Sequence, residues 1–433
     1  MSGRPFGFIA VLGLLFLGTT AWAGTFIHLG ASQGMDADVT VEVLSDAPDG
    51  IVVEYNLDGF ELTPMTINGG DYYSVTLGKE SRTMEAGAPE LPNVIRSVII
   101  PDNAQMEVRV VSATYQEFSA IDVIPSKGNL PRTIDPNSVP YEFGPVYSAD
   151  EWYPELVATH RDPYILRDVR GMVVVINAFQ YHPGQHMLRV YDHIVVEVVP
   201  VGLGQMNVID RATRPERVNP EFAKLYDDHF INMGSLRYAP ISEIGEMLVI
   251  AYDGFVAGMQ PLVDWKNQMG LKTTLVAKSE VGTTAGEFQI YIQDLYDTTD
   301  LAFVLLVGDH AQIPSLYNDG APADPMYALV DGTDSYPDIF IGRLSAETPE
   351  QVDLQVQKFV EYEKLPQEGA AWYHKGVGIG SGEGAGIGDD GEADWEHIEN
   401  IRTDLLNFTY TQVDSIYAHW PWQATSAMVT SAL

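Results

Sequence analysis

Ala302-Phe303-Val304-Leu305-Leu306-Val307-Gly308-Asp309 (AFVLLVGD) decides the fold of the second half of this chain. Six apolar residues in a row leave no face for water, as in a strand of a parallel sheet covered by helices on both sides. Gly308 permits a sharp turn at the strand's end. Asp309 then points into the crevice where such sheets build their sites. The same grammar repeats outward. Residues 247–251 form a short apolar run, followed by a helical pattern over 255–269 that Gly270 closes. Residues 271–276 read as a strand. Thr284-Ala285-Gly286-Glu287 is a capping-box pattern, with Phe288, Ile292 and Leu295 on one helical face. Downstream, 338–344 is a strand. Thr348-Pro349-Glu350-Gln351 opens a helix whose buried stripe is Val352, Val356 and Phe359. Residues 376–380, 395–406 and 412–417 read as strand, helix and strand. Residues 241–433 are therefore expected to be α/β, a mostly parallel sheet with helices on both faces. Ser426-Ala427-Met428-Val429 reads as the start of another helix, and Leu433 follows four residues later. The expectation is a C-terminally truncated domain.

Upstream the texture is β. From Gly24 to residue 206, runs rich in Val, Ile and Tyr alternate with Gly, Pro and Asp turns. Met106-Glu107-Val108-Arg109-Val110 alternates in and out. Residues 173–181 and 187–198 flank His182-Pro183-Gly184-Gln185 as a hairpin. This half is expected to be an all-β sandwich-like domain. Residues 207–240 carry Arg211, Arg214, Arg217 and Arg237 in an otherwise acidic chain. They read as an exposed linker, either a plain solvated connection or a proteolytic processing region.

Composition narrows the function. The 433 residues carry 60 acidic against 24 basic side chains, a formal charge of -36. A surface of that sign repels phosphate backbones, so no nucleic-acid partner is expected. It attracts divalent cations and basic substrates. Arg4, an apolar run over residues 6–17 and Ala21-Trp22-Ala23 make a signal peptide over 1–23, so the protein is expected to be secreted. No later segment is apolar enough to cross a membrane. The cysteine count is zero. An exported chain of this size without disulfides gains rigidity from a large core or a bound metal, and these residues hold no thiol nucleophile.

Three constellations carry chemistry. Asp331-Gly332-Thr333-Asp334-Ser335-Tyr336-Pro337-Asp338 packs three carboxylates ahead of an apolar strand. With Asp309 they suggest a hard cation, calcium, which takes six to eight oxygens. The plainer alternative is an acidic loop with Asp338 paired to Arg343 or another base. Gly380-Ser381-Gly382-Glu383-Gly384 leaves a strand and offers either a carboxylate or a flexible loop. A serine hydrolase using Ser381 is a further alternative, although Ile379 and Glu383 stand where Gly-x-Ser-x-Gly needs glycines. Asp389-Asp390-Gly391-Glu392-Ala393-Asp394 leads into a helix holding His397. Acids there suit the helix dipole, and Glu392 with His397 could also chelate a metal.

Several stretches resemble one family. Residues 262–273 (LVDWKNQMGLKT), 304–314 (VLLVGDHAQIP) and 336–345 (YPDIFIGRLS) are similar to the catalytic domain of gingipains, peptidase family C25. Gly87-Ala88-Pro89-Glu90-Leu91-Pro92 and the 173–198 hairpin resemble the gingipain pro-domain. The resemblance runs from about residue 50 to the end. It implies a secreted cysteine endopeptidase zymogen with a caspase-like α/β domain, whose β pro-domain acts as intramolecular inhibitor. The family's His-Gly and Cys dyad has no counterpart here, so these residues alone would be inactive. Glu383 matches the acid supporting the catalytic His. Asp394 matches the acid of the substrate pocket in Arg-specific members, implying peptide substrates with a basic P1 residue. Asp309, Asp331, Asp334, Tyr336 and Asp338 match a Ca2+ site, Asp331 and Tyr336 through backbone carbonyls. Glu392 and His397 match a second metal site. The alternative outside catalysis is a calcium-binding secreted structural or adhesive protein.

Overall fold

The computed structural model describes residues 24–29, 39–131, 134–211, 218–235, 244–383, 392–419 and 422–432. The stretch 1–23 expected to be a signal peptide, Arg214, Arg217, Arg237, Gly384 and Asp389-Asp390-Gly391 lie outside the described residues. No helix among the described residues is long and apolar enough to cross a membrane.

The N-terminal half is mostly β, as its alternation predicts, with short 3-10 turns at Pro136–Ser138, Pro145–Ser148 and Pro183–Gln185. One sheet runs Phe179–His182, Met187–Leu203, Gly50–Leu57, Val39–Ala47, with Ala104–Ser119 also pairing to Met187–Leu203. A second runs Tyr164–Leu166, Val169–Ile176, Pro92–Ile99, Ser81–Arg82, with Ala158–His160 added on Val169–Ile176. A three-stranded sheet joins Thr25–His28, Gly59–Ile67 and Gly70–Thr76. Val53, Tyr55, Val94, Val98, Val174, Ile176, Phe179, Val190, Ile194 and Val196 pack into one core between them. The run 173–181 is not one arm of a hairpin. It breaks between Val169–Ile176, in one sheet, and Phe179–His182, in the other. The hairpin proper is Phe179–His182 with Met187–Leu203.

Val169–Ile176 is buried along nearly its whole length. Met172, Val174 and Ile176 face the sandwich core, while Val169 and Val173 face a second cluster. That second face is covered by the helix Pro220–His229, through Phe222 and Tyr226. The exposed linker expected at 207–240 is thus in part a packed helix. Asn219 caps it, accepting from the Glu221 N–H, and Pro220 starts it. Arg211 is not a freely solvated residue either: its guanidinium donates to both Asp102 oxygens at 2.9 Å and to the Asp168 carbonyl.

The second half is α/β. Four parallel strands stand in the order Lys272–Ala277, Glu246–Ala251, Leu301–Val307, Phe340–Leu344. Helix Ala285–Thr298 covers one face through Phe288 and Ile292. Helices Val256–Gln268 and Pro349–Lys364 cover the other through Met259, Leu262, Val352 and Val356. Phe359, assigned to the buried stripe, is exposed instead. A separate small sheet pairs Lys375–Ser381 in parallel with Gln412–His419, and Trp422–Gln423 returns antiparallel. Helix Asp394–Phe408 packs on its first two strands, and Ser426–Ala432 is helical.

Candidate functional site

The sequence of strand Lys375–Ser381, KGVGIGS, places glycine at every second position. A Cβ on Gly380 would lie 2.8 Å from the Trp395 Cα, and one on Gly378 would lie 2.6 Å from Ile398 Cγ2. Bare backbone on this face lets helix Asp394–Phe408 lie directly on the strand. The helix N-terminus therefore arrives beside the strand's carboxyl end, and two sequence-singled acids meet there. The Ser381 hydroxyl donates to Asp394 Oδ2 at 2.8 Å and accepts from the Glu383 N–H at 3.0 Å. The Asp394 N–H donates to the Glu383 carbonyl at 2.9 Å. Glu383 itself is exposed at the rim, while Asp394 is half-buried. The arrangement presents one carboxylate held by a hydroxyl, with the exposed Glu383 tied to the same two residues through its backbone. Ser381 serves as the joint between them. Its proton goes to a carboxylate and not to an imidazole.

Glu392 and His397 are also brought together. His397 Nδ1 lies 3.3 Å from Glu392 Oε2, and Asn400 donates to the other carboxylate oxygen. Among the described residues, which leave out Asp389-Asp390-Gly391 just before Glu392, no cluster of three or more His, Cys, Asp or Glu positioned to hold a metal occurs.

The five residues assigned to calcium do not gather at one point. Asp309 follows the carboxyl end of Leu301–Val307, its N–H donating to the Ala346 carbonyl. Asp338 precedes the amino end of the neighbouring strand Phe340–Leu344. The strands are parallel, with Phe303 opposite Phe340 and Val307 opposite Leu344. Asp309 and Asp338 are thus at opposite ends of the strands, eight residues or roughly 26 Å apart along the sheet at ~3.3 Å per residue.

At the amino edge, two of the acids, Asp334 and Asp338, already have donors. Asp338 is fully buried. Its Oδ1 accepts from the Arg167 N–H at 2.9 Å, and its Oδ2 accepts from the Val330 and Asp331 N–H groups at 3.2 and 2.9 Å. Burial pushes its carboxyl up to about 8, against the pull of those N–H donors. Asp334 Oδ2 accepts from the Ile165 N–H and Oδ1 from the Tyr336 N–H, both at 2.9 Å. The Tyr336 ring stacks on Tyr164 with centroids 3.8 Å apart. A calcium ion needs these oxygens turned toward a common centre, whereas here they are turned toward N–H groups. The set does not fit a calcium site in this arrangement. Asp338 is not paired with Arg343, which instead grips Asp324 through two nitrogens at 2.6 and 2.8 Å and holds the Gly308 and Ile313 carbonyls.

Sequence reasoning missed Arg167 and Ile165, which supply donors from 169 to 171 positions away. The available signal was the run Met172-Val173-Val174-Val175-Ile176, which is too apolar for a sandwich strand with one wet face.

The sequence profile of the C25 propeptide (Propeptide_C25) matches residues 31–221, and that of Peptidase family C25 matches residues 241–432. Gingipain R2 of Porphyromonas gingivalis is 33% identical over 384 residues, 87% of this chain and 52% of the relative. Lys-gingipain W83 of the same organism is 26% identical over 392 residues, 84% of this chain and 22% of the relative. The chain spans about half the length, or less, of the curated relatives it matches. Among solved structures, the complex of Porphyromonas gingivalis RgpB pro- and mature domains is 33% identical. That match covers 45% of this chain and 97% of that chain, with a TM-score of 0.42. Two adjoining family segments, in this order and over most of the residues, leave one conclusion: the chain belongs to peptidase family C25, as a gingipain-type pro-domain followed by part of the peptidase domain.

Proposed function

We propose that these residues belong to a secreted gingipain-type cysteine endopeptidase zymogen that cleaves polypeptides after basic residues. The observation that carries this reading is the Glu383–Ser381–Asp394 joint at a strand's carboxyl end, where α/β sheets build their sites. Asp394, held by Ser381 at a helix start, suits a substrate guanidinium or ammonium. Glu383, at the rim, suits the third-member role, orienting an imidazole and stabilising its cationic form. The imidazole would take the proton of an attacking thiol and return it to the leaving amine. No cysteine occurs among the 433 residues, so in this reading the thiol comes from a longer product. The N-terminal β region would hold the precursor latent until it is cut away.

The test begins with the reading frame. A product containing these residues, a His-Gly and a following Cys is expected to cleave peptidyl-arginine substrates. Glu383→Gln should lower kcat by 10-fold or more, on the order of a general acid–base contribution. Asp394→Asn should raise KM for arginine substrates with less change in kcat, by about 10- to 100-fold for one lost charge-assisted pair. A frame with no cysteine removes the catalytic reading.

A further inference from the structure

We propose that the hairpin formed by Tyr164–Leu166 and Val169–Ile176, with Arg167 at its tip, is the latch that holds the pro-region on the peptidase region. It acts at the sheet edge opposite the one where α/β sites form. Leu166 pairs with Val169, so Arg167 and Asp168 are the two turn residues. Arg167 sits at φ 47°, left-handed backbone that costs a non-glycine residue and persists only where its surroundings enforce it. They do so here. One guanidinium nitrogen donates to the Leu301 carbonyl at 2.8 Å and to the Asp338 carbonyl at 2.9 Å. These carbonyls lie at the entries of two adjacent parallel strands of the peptidase region, so a single side chain ties both to the pro-region. The Arg167 N–H adds its bond to Asp338, and Ile165 adds one to Asp334. Carboxylates of Asp168 and Asp300 lie 3.7 Å from the guanidinium, which also stands over the Phe222 ring at 5.1 Å. The side chain is 6% exposed.

A buried arginine among acids and strand-end carbonyls is costly to expose and costly to leave behind on either side. The attachment is therefore strong without entering the substrate cleft. A cut between the regions need not release the pro-region. Release requires the Arg167 contact to open. The inference rests on the zymogen reading only in treating the N-terminal region as one that comes away.

The experiment uses the full chain with a specific protease site inserted between Ser235 and Ile244, nicked after folding. Size-exclusion chromatography and a dilution series then give the Kd between the two parts. The unsubstituted nicked protein is expected to elute as one complex. Arg167→Ala should weaken Kd on the order of 100-fold, as expected for breaking a buried charged contact. Arg167→Lys, which keeps charge but loses the planar fork, should fall between. An unchanged Kd in Arg167→Ala overturns the latch. If circular dichroism shows that Arg167→Ala does not fold before nicking, Arg167→Lys decides, and an unchanged Kd there overturns it. The readout is association, so a product that proves catalytically silent leaves this test intact and fails only the peptidase reading.

Discussion

At the scale of single residues, Asp338 sets burial against charge. Its carboxyl ordinarily titrates near ~3.9 in an unfolded chain, and burial raises it to about 8 in the folded one. The folded state therefore holds the proton more tightly. Its stabilising contribution is complete below about pH 4, is lost as pH rises toward about 8, and is absent above that. Asp338→Asn removes the titration. Urea midpoints at pH 4.5, 6 and 8 should show the unsubstituted protein losing stability relative to Asp338→Asn as pH rises, by a few kcal/mol in all. A difference that stays flat across the three pH values would mean that the three N–H donors keep the carboxylate ionised throughout. The sequence displayed this acid plainly, at the head of an apolar strand. Its partner was not legible, because the donor is a backbone N–H at Arg167, and no spacing rule connects positions so distant in the chain.

Elements were legible where a local rule specifies them. Thr284 and Glu287 form the reciprocal cap expected from their spacing. Backbone N–H groups of Thr283 and Thr284, then the Thr284 hydroxyl, hold the Glu287 carboxyl down at about 2. Thr284→Ala should cost about 1 kcal/mol of stability, read from thermal or urea unfolding. A neutral result would mean that packing of Phe288 and Ile292 alone fixes this helix. The strand at 376–380 was legible too, and forms as Lys375–Ser381, but the purpose of its alternating glycines was not. Their use is close approach, which appears only when the helix is in place. Gly380→Ala forces a methyl against the Trp395 backbone, with an expected cost of 1–3 kcal/mol. The same change should shift Trp395 fluorescence and displace Asp394 from Ser381. Helix Pro220–His229 was missed although Asn219-Pro220-Glu221 is a start signal and Phe222 and Tyr226 share a face. The basic residues around it drew the reading toward solvent, while tertiary cover on Val169–Ile176 decides the matter.

For the whole molecule, the cluster of Tyr164, Val173, Phe222, Tyr226 and Phe230 joins the two halves, with Phe340 of the parallel sheet packed against it. Phe222 is the hinge of this contact, its ring 4.6 Å from Phe340 and beneath the Arg167 guanidinium. Two regions sharing a core unfold together. Phe222→Ala should cost 3–5 kcal/mol and split a single calorimetric transition into two. A single, merely shifted transition would show that the remaining contacts couple the halves unaided.

Chelation tests the same junction from the side of charge. The chain carries a formal charge of -36, so any cation raises stability somewhat by screening, and that effect follows ionic strength rather than ion identity. A specific site behaves differently: a ligand at 100 times its Kd adds about 2.7 kcal/mol to the folded state. Asp334 and Asp338 spend their oxygens on N–H groups of Ile165, Tyr336, Arg167, Val330 and Asp331, and Asp309 stands at the far edge. In the intact chain, then, EDTA should leave the melting temperature unchanged, and millimolar calcium should act no differently from sodium chloride of equal ionic strength. A calcium-specific rise of several degrees that Asp334→Asn abolishes would show that the ion displaces the hairpin's donors even while the pro-region is attached. A rise that Asp334→Asn leaves untouched would place the ion elsewhere, with the Glu392–His397 pair the next substitution to make.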